Sequence, residues 1–291
     1  KQNKMTAPLL LIIITFIGYI IAYHTYGKFI ATKLFKLNPA NNVPSKQLAD
    51  GKDYVASDRQ VMFGHHFTSI AGTGPIVGPA IGIIWGWVPA LIWVFLGSIF
   101  MGAVHDFSAL VISMRHSGRS ISDIAGDVIN KRVRVMFFCI VCLALLIVIA
   151  IFGLIIALIF ARFPSSVIAV WVEIPIAIAF GYWGLKTKGK LLLKTLISVG
   201  LLYLFVWIGY LNPITLPSTA TLPATGLWTI ILLSYAFVAS VLPVSILLQP
   251  RDYLNAWQLY ISIAIVLLGL VLAGLSNQLH FAAPAFNSAP I

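Results

Sequence analysis

Long apolar runs alternate with short polar stretches along the whole chain. The runs cover residues 6–26, 61–87, 89–113, 135–161, 167–184, 191–210, 228–248 and 259–275. A helix needs about 20 mostly apolar residues to cross the hydrocarbon core of a bilayer, and most of these runs have that length. The run at 135–161 is the most hydrophobic. The run at 61–87 is broken up by Gly and Pro. Pro89 stands where a proline is tolerated, in the first turn of the next helix. The pattern predicts an all-α, polytopic transmembrane helix bundle, with residues 1–291 forming one transmembrane domain.

Composition removes the soluble alternative. Of 291 residues, 60% are hydrophobic and 9% charged, whereas about a quarter of an average soluble domain is charged. Mean hydropathy is +0.98. The formal charge of +11 raises the question of nucleic acid, but the basic residues fall in the loops between apolar runs. Lys28, Lys33, Lys36, Lys46, Lys52 and Arg59 share one loop, Arg115, Arg119, Lys131, Arg132 and Arg134 a second, and Lys186, Lys188, Lys190 and Lys194 a hairpin. If every run crosses once, these three loops lie on one side, and the uncharged loop at 211–227 and the tail after Leu275 lie on the other. The positive-inside rule then places the basic loops in the cytoplasm. Lys1, Lys4 and Arg162 are the exceptions. A first residue that is not Met and a polar end at Pro290 and Ile291 predict a piece of a longer protein, without a cleaved signal peptide.

Chemistry concentrates in the interrupted run, His65-His66-Phe67-Thr68-Ser69-Ile70-Ala71-Gly72-Thr73-Gly74-Pro75-Ile76-Val77-Gly78-Pro79. Pro75 and Pro79 remove two backbone donors and free the carbonyls of Ala71 and Pro75. Non-helical backbone at membrane depth is tolerated only under protein cover or beside a cavity. The segment therefore predicts a broken helix whose second half offers free amides to an anionic group. Gly74, Gly78, Gly82 and Gly86, spaced by four, also suit a smooth stripe for close helix packing, but a stripe leaves the prolines, histidines and hydroxyls unexplained.

Other polar residues in the runs admit two readings each. His65 and His66, at the cytoplasmic mouth, suit proton coupling or the capping of backbone groups; two histidines alone do not make a zinc site. Asp106, with His105 beside it, is either an intramembrane ion or proton ligand or an interfacial carboxylate. Glu173, the only glutamate, is a proton carrier or a group hydrogen-bonded at the Pro175 kink. Gln249-Pro250-Arg251-Asp252-Tyr253 reads as a cytoplasmic turn and helix start. Cys139 and Cys142 read as small buried side chains, not a disulfide framework. Ser120-Ile121-Ser122-Asp123 opens like a capping box. Ile121, Ile124, Ala125 and Val128 then share one face of a short interfacial helix.

Several stretches resemble the carbon starvation protein A family. They are Asp50-Gly51-Lys52-Asp53-Tyr54-Val55, Phe63-Gly64-His65-His66-Phe67, Ile70 through Pro79, and Gly102-Ala103-Val104-His105-Asp106-Phe107. Gly118-Arg119-Ser120-Ile121, Val241-Leu242-Pro243-Val244 and Leu247-Leu248-Gln249-Pro250-Arg251-Asp252-Tyr253 continue the series in the family's order. The resemblance implies a multi-pass transporter of the bacterial inner membrane for peptides or pyruvate, induced when carbon is scarce. It further implies a core of two inverted five-helix repeats, with more spans after the point where this sequence stops. Family members carry Gln or His before the aspartate, so the resemblance points to Asp106 more than to His105.

Together these readings predict a secondary active transporter, coupled to protons or another cation. Thr68, Ser69, Gly72, Thr73, Gly74 and Gly78 are the expected substrate-binding residues, with the backbone groups of Gly72, Thr73 and Gly74 on a substrate carboxylate. His65, His66, Asp106 and Glu173 are the expected coupling residues. The expected partners are a small-molecule substrate, the lipid bilayer and, in an assembly, further copies of the chain; no nucleic acid, cofactor or metal is called for. The rival readings are a channel or nutrient sensor without uphill transport, a metal-binding membrane protein, and a membrane-embedded enzyme. The last lacks a Ser/His/Asp or HExxH constellation.

Overall fold

Among the described residues of the computed structural model, six helices are long and apolar enough to cross a membrane: Ala7–Leu34, Trp87–Arg115, Lys131–Arg162, Ser166–Leu185, Leu191–Leu211 and Leu248–Leu275. The structure describes residues 6–51, 54–185, 187, 189–218, 222–276 and 278–288, and no strand occurs among them. In chain order the α-helices are α1 (Thr6–Ala22), α2 (Pro44–Gln47), α3 (Arg59–Ile70), α4 (Thr73–Gly82), α5 (Trp87–Ile92), α6 (Ala103–Arg115), α7 (Ile121–Val128), α8 (Lys131–Arg162), α9 (Ser166–Phe180), α10 (Leu191–Leu211), α11 (Ala224–Ser240) and α12 (Leu248–Leu275). Wider π-helical turns continue several of them, at Tyr23–Gly27, Ile30–Leu34, Trp93–Gly102 and Gly181–Leu185. The chain is a multi-pass membrane protein of all-α class.

The run at 61–87 is broken, as its Gly and Pro content predicts. α3 ends at Ile70, Gly72 is extended (φ −72°, ψ −164°), and α4 begins at Thr73. Three expected boundaries shift: the first crossing continues through Lys28 and Lys33 to Leu34 instead of giving way to a loop after residue 26, and two more move. The run at 228–248 stops being helical at Ser240, and α12 starts at Leu248 rather than near 259. Gln249-Pro250-Arg251-Asp252 is thus helical, not a turn: Pro250 lies in the first turn of α12, where its missing N–H costs nothing. The Ser120 cap forms, with the Asp123 N–H donating to Ser120 Oγ at 3.3 Å. Ile124 and Ala125 of α7 are buried, while Ile121 and Val128 are exposed.

The chain falls into two compact units. The first comprises residues 1–56, 71–128 and 261–291. In it, Tyr19 Oη on α1 donates to the Val94 carbonyl at 3.0 Å. The tail beyond α12 supplies what the start of α5 lacks. The N–H groups of Trp87 and Val88 donate to the carbonyls of Pro284 and Ala285 at 3.0 and 3.1 Å, and Asn287 N–H returns a bond to Trp85 O at 2.9 Å. These are amides that a helix start leaves without an internal acceptor. The tail can come this close because Gly86, at φ +107°, adopts a conformation reserved for glycine.

The second unit comprises residues 57–70 and 129–260. Lipid tails are as apolar as leucine, so helices in a membrane associate through close packing and polar contacts rather than the hydrophobic effect. Small residues make the approach possible. Gly209 of α10 faces the Ser165 carbonyl before α9, Gly153 of α8 meets Leu233 and Thr229 of α11, and Gly64 of α3 lies under Tyr253 of α12. Ala157, Phe160, Val167 and Trp228 form the core between α8, α9 and α11, with Phe160 edge-on to Trp228 at 5.0 Å. Cys139 and Cys142 are both exposed on α8 rather than buried, because neighbouring helices pack on α8 only beyond this stretch.

Lys194 departs furthest from its expected place. It is not a loop charge but lies inside α10 at 7% exposure. Its ammonium donates to the carbonyls of Trp183, Gly184 and Thr187 at 3.1, 3.4 and 2.8 Å and to Thr187 Oγ1 at 2.7 Å. Those carbonyls end the π-helical extension of α9, where a cation also meets the negative end of the helix dipole. Its hairpin neighbours Lys186 and Lys188 lie outside the described residues. Lys194→Met is expected to destabilise the full-length protein by about 1–3 kcal/mol, because buried acceptors lose their donor. Thermal unfolding in detergent checks this, and an unchanged midpoint would mean that water replaces the ammonium.

Candidate functional site

Four ionisable side chains from three helices meet inside the second unit. His65 comes from α3, Glu173 from α9, and Arg251 and Asp252 from the start of α12. His65 Nδ1 stands 2.9 Å from Asp252 Oδ2. The Arg251 guanidinium lies 3.6 Å from Asp252 Oδ1 and, through Nε, 3.9 Å from Glu173 Oε1. It also donates to Tyr235 Oη of α11 at 3.2 Å. Asn255, one turn along α12, interacts with the Glu173 carboxylate. The two carboxylates are mostly buried, at 15% and 11% exposure for Glu173 and Asp252.

The cluster is close in distance yet loose in geometry. His65 Nδ1, Glu173 Oε1 and Arg251 Nε are all buried without an aligned hydrogen bond among the described residues. Two carboxylates against one guanidinium leave one negative charge when the imidazole is neutral. An uncompensated charge in a low-dielectric interior is costly.

Hydrogen bonds around the cluster fix the helices that carry it. Thr68 Oγ1, one turn beyond His65 on α3, donates to the Asp252 carbonyl at 2.7 Å. Tyr253 Oη meets Thr195 Oγ1 of α10 at 3.1 Å, and its ring stacks on Phe180 of α9 at 5.6 Å. Gln249 Nε2 donates to Ser57 Oγ at 2.8 Å. Ser69 Oγ donates to the His65 carbonyl at 2.8 Å, a bond within α3. His66 is half-buried.

The remaining expected site residues lie in the first unit. Gly72 precedes α4 with no side chain capping the helix's free amides. A side chain added at Gly74 or Gly78 would meet open space, so these two glycines are not used for packing. Of the four-residue stripe, Gly82 approaches Ala90 and Gly86 approaches the tail. The Thr73 side chain lies outside what the structure describes; its backbone begins α4. Asp106 pairs with its neighbour His105 at 3.1 Å, and both are exposed, at 40% and 82%.

The structure thus joins two expected coupling residues, His65 and Glu173, through two that the sequence reading assigned to a turn, Arg251 and Asp252. A signal for them existed. Two ionisable groups at membrane depth each need a partner, and Arg251-Asp252 supplies one charge of each sign beside an apolar run.

Fold and site define a multi-pass membrane protein with a broken helix and a buried cluster of ionisable side chains. The family model "Carbon starvation protein CstA" matches residues 7–289, and the chain belongs to that family. It is 40% identical over 243 residues to the peptide transporter CstA of Bacillus subtilis (strain 168), covering 81% of this chain and 40% of that protein. To the peptide transporter CstA of Mycobacterium tuberculosis (strain CDC 1551 / Oshkosh) it is 36% identical over 269 residues, covering 88% of this chain and 34% of that protein. It is 33% identical over 264 residues to the pyruvate/proton symporter BtsT of Escherichia coli (strain K12), covering 87% of this chain and 36% of that protein. The chain therefore spans between about a third and two fifths of the length of these relatives. No solved structure matches it.

Proposed function

We propose that the protein carrying this sequence is a secondary active transporter that takes up peptides or pyruvate across a bacterial inner membrane, driven by protons, and that it is not an enzyme. The names of the relatives support the substrate classes and, through the pyruvate/proton symporter, the coupling ion. The observation that carries the proton coupling is the buried cluster His65–Asp252–Arg251–Glu173, whose charge balances on gaining one proton. His66 and Asp106 complete the coupling set at the mouth of α3 and on α6. The basic loops face the cytoplasm, and residues 1–291 act within one transmembrane domain.

The substrate's carboxylate meets the free amides at Gly72, Thr73 and Gly74. The uncapped start of α4 and the open space at Gly74 and Gly78 support this placement. Thr68 and Ser69 have donated their hydroxyl protons elsewhere and take part as acceptors.

Proteoliposomes holding the full-length protein test the reading with labelled pyruvate and labelled short peptides. Accumulation of one of them only under an inward proton gradient is expected. Equal uptake with and without the gradient would instead make the protein a channel, and no uptake in sealed vesicles would leave a sensor.

A further inference from the structure

Besides the packing of Gly64 on Tyr253 and of Phe67 on Tyr260, two polar contacts of different kinds join α3 to one residue of α12. The carboxylate of Asp252 faces His65, and the backbone carbonyl of Asp252 accepts the Thr68 hydroxyl at 2.7 Å. His65 and Thr68 are three apart, so they lie on one face of α3. Thr68 is four residues before Gly72, where the helix breaks. The bond to the carbonyl does not depend on pH. The contact to the carboxylate does, because histidine gains charge in the range of about pH 5 to 8.

We infer that Asp252 is the positioning residue of proton coupling: it reads the charge of His65 and converts it into how firmly the end of α3, next to the break, is held. This rests on the proton-coupled transport reading. With His65 protonated, the imidazolium and the carboxylate form an ion pair, and the last turn of α3 stays docked. With His65 neutral, the ion pair is lost while the Thr68 bond and the packing of Gly64 on Tyr253 and Phe67 on Tyr260 remain, and the end of α3 is held less firmly. The groups around the imidazole allow this. α12 presents Asp252, Arg251 and Tyr253, and α9 presents Glu173, so that Arg251 is shared between Asp252 at 3.6 Å and Glu173 at 3.9 Å. Tyr235 of α11 also binds Arg251. Lys194 of α10 is committed to its own carbonyl cage and supplies no competing charge.

Ile70, the last residue of α3 and exposed, is a suitable reporter. In full-length protein with Cys139 and Cys142 replaced by alanine, Ile70→Cys is labelled with a maleimide in detergent at pH 6 and at pH 8. The thiolate fraction rises with pH in any background, so the measure is the pH 8 to pH 6 rate ratio relative to the same ratio in Asp252→Asn. A ratio at least about fivefold larger with Asp252 present is expected, a small coupling by the usual scale, with Asp252→Glu restoring it. Equal ratios would overturn the inference. If Asp252→Asn does not fold, His65→Gln takes its place: loss of the excess ratio supports the proposal, and its persistence overturns it. Labelling requires no transport, so a pH-dependent ratio without gradient-driven uptake would reject the transporter reading and leave the Asp252 contact intact.

Discussion

Arg251→Leu is expected to destabilise the full-length protein by about 3–5 kcal/mol, the cost of leaving a buried charge without its partner. The guanidinium is the one cation placed against both Glu173 and Asp252 among the described residues. Without it, two carboxylates face each other's field in a site of low dielectric. Truncating Glu173 as well should recover most of the loss, since an apolar pair of similar volume often replaces a buried ion pair at little cost. Thermal unfolding of the single variants Arg251→Leu and Glu173→Leu and of the double variant measures the coupling directly. If the double variant lost as much stability as the two single variants added together, the 3.9 Å approach of Arg251 to Glu173 would carry no energy, and the cluster would reduce to its His65–Asp252 half.

The second large effect is steric. A methyl group at Gly86 would sit 2.5 Å from the Ala285 carbonyl oxygen and 2.7 Å from Phe286 Cα. The backbone there is also at φ +107°, ψ 159°, a region that essentially only glycine occupies. Strain of roughly 1–3 kcal/mol and overpacking of similar size, about 1–3 kcal/mol, together exceed what the three backbone bonds between residues 85–88 and 284–287 return. Gly86→Ala is therefore expected to expel the segment around 284–287 and to expose the N–H groups of Trp87 and Val88. Limited proteolysis between 276 and 288 should become markedly faster than in the wild type. Unchanged cleavage would show that the segment finds a second way to pair.

Much of this architecture is legible in the chain because a bilayer imposes simple demands. Helix length follows from hydrocarbon thickness, so the apolar runs locate most crossings. Two prolines and a run of glycines at membrane depth announce the break at Gly72. The cost of burying a charge in lipid singles out Glu173, which lies in the cluster, and Asp106, which is 40% exposed; His65 is picked out with His66 as a histidine beside the break. What stays hidden depends on contacts far apart in sequence. Arg251 and Asp252 stand at the edge of an apolar run, where a charged pair next to proline has the composition of a turn. Only the return of α12 against α3 and α9 turns them inward. Lys194 misleads in the same way: four residues into a helix, it counts as a loop charge until its carbonyl cage is seen. Cys139 and Cys142 err in the other direction, since apolar surroundings in sequence do not distinguish a covered helix face from an exposed one.

The π-helical stretch Trp93–Gly102 gives the Trp87–Arg115 crossing a different kind of tolerance. A π turn bonds i to i+5 and so takes up about one residue more than an α turn. Within an ordinary α-helix, losing one residue turns everything beyond it by about 100° and points Asp106 and its neighbours toward new surroundings. Within this stretch the same loss is absorbed by a wide turn closing into a narrow one, and the two ends of the crossing keep their facing. The crossing thus has slack built into its winding, a place where length can vary between lineages while both ends continue to address the same neighbours.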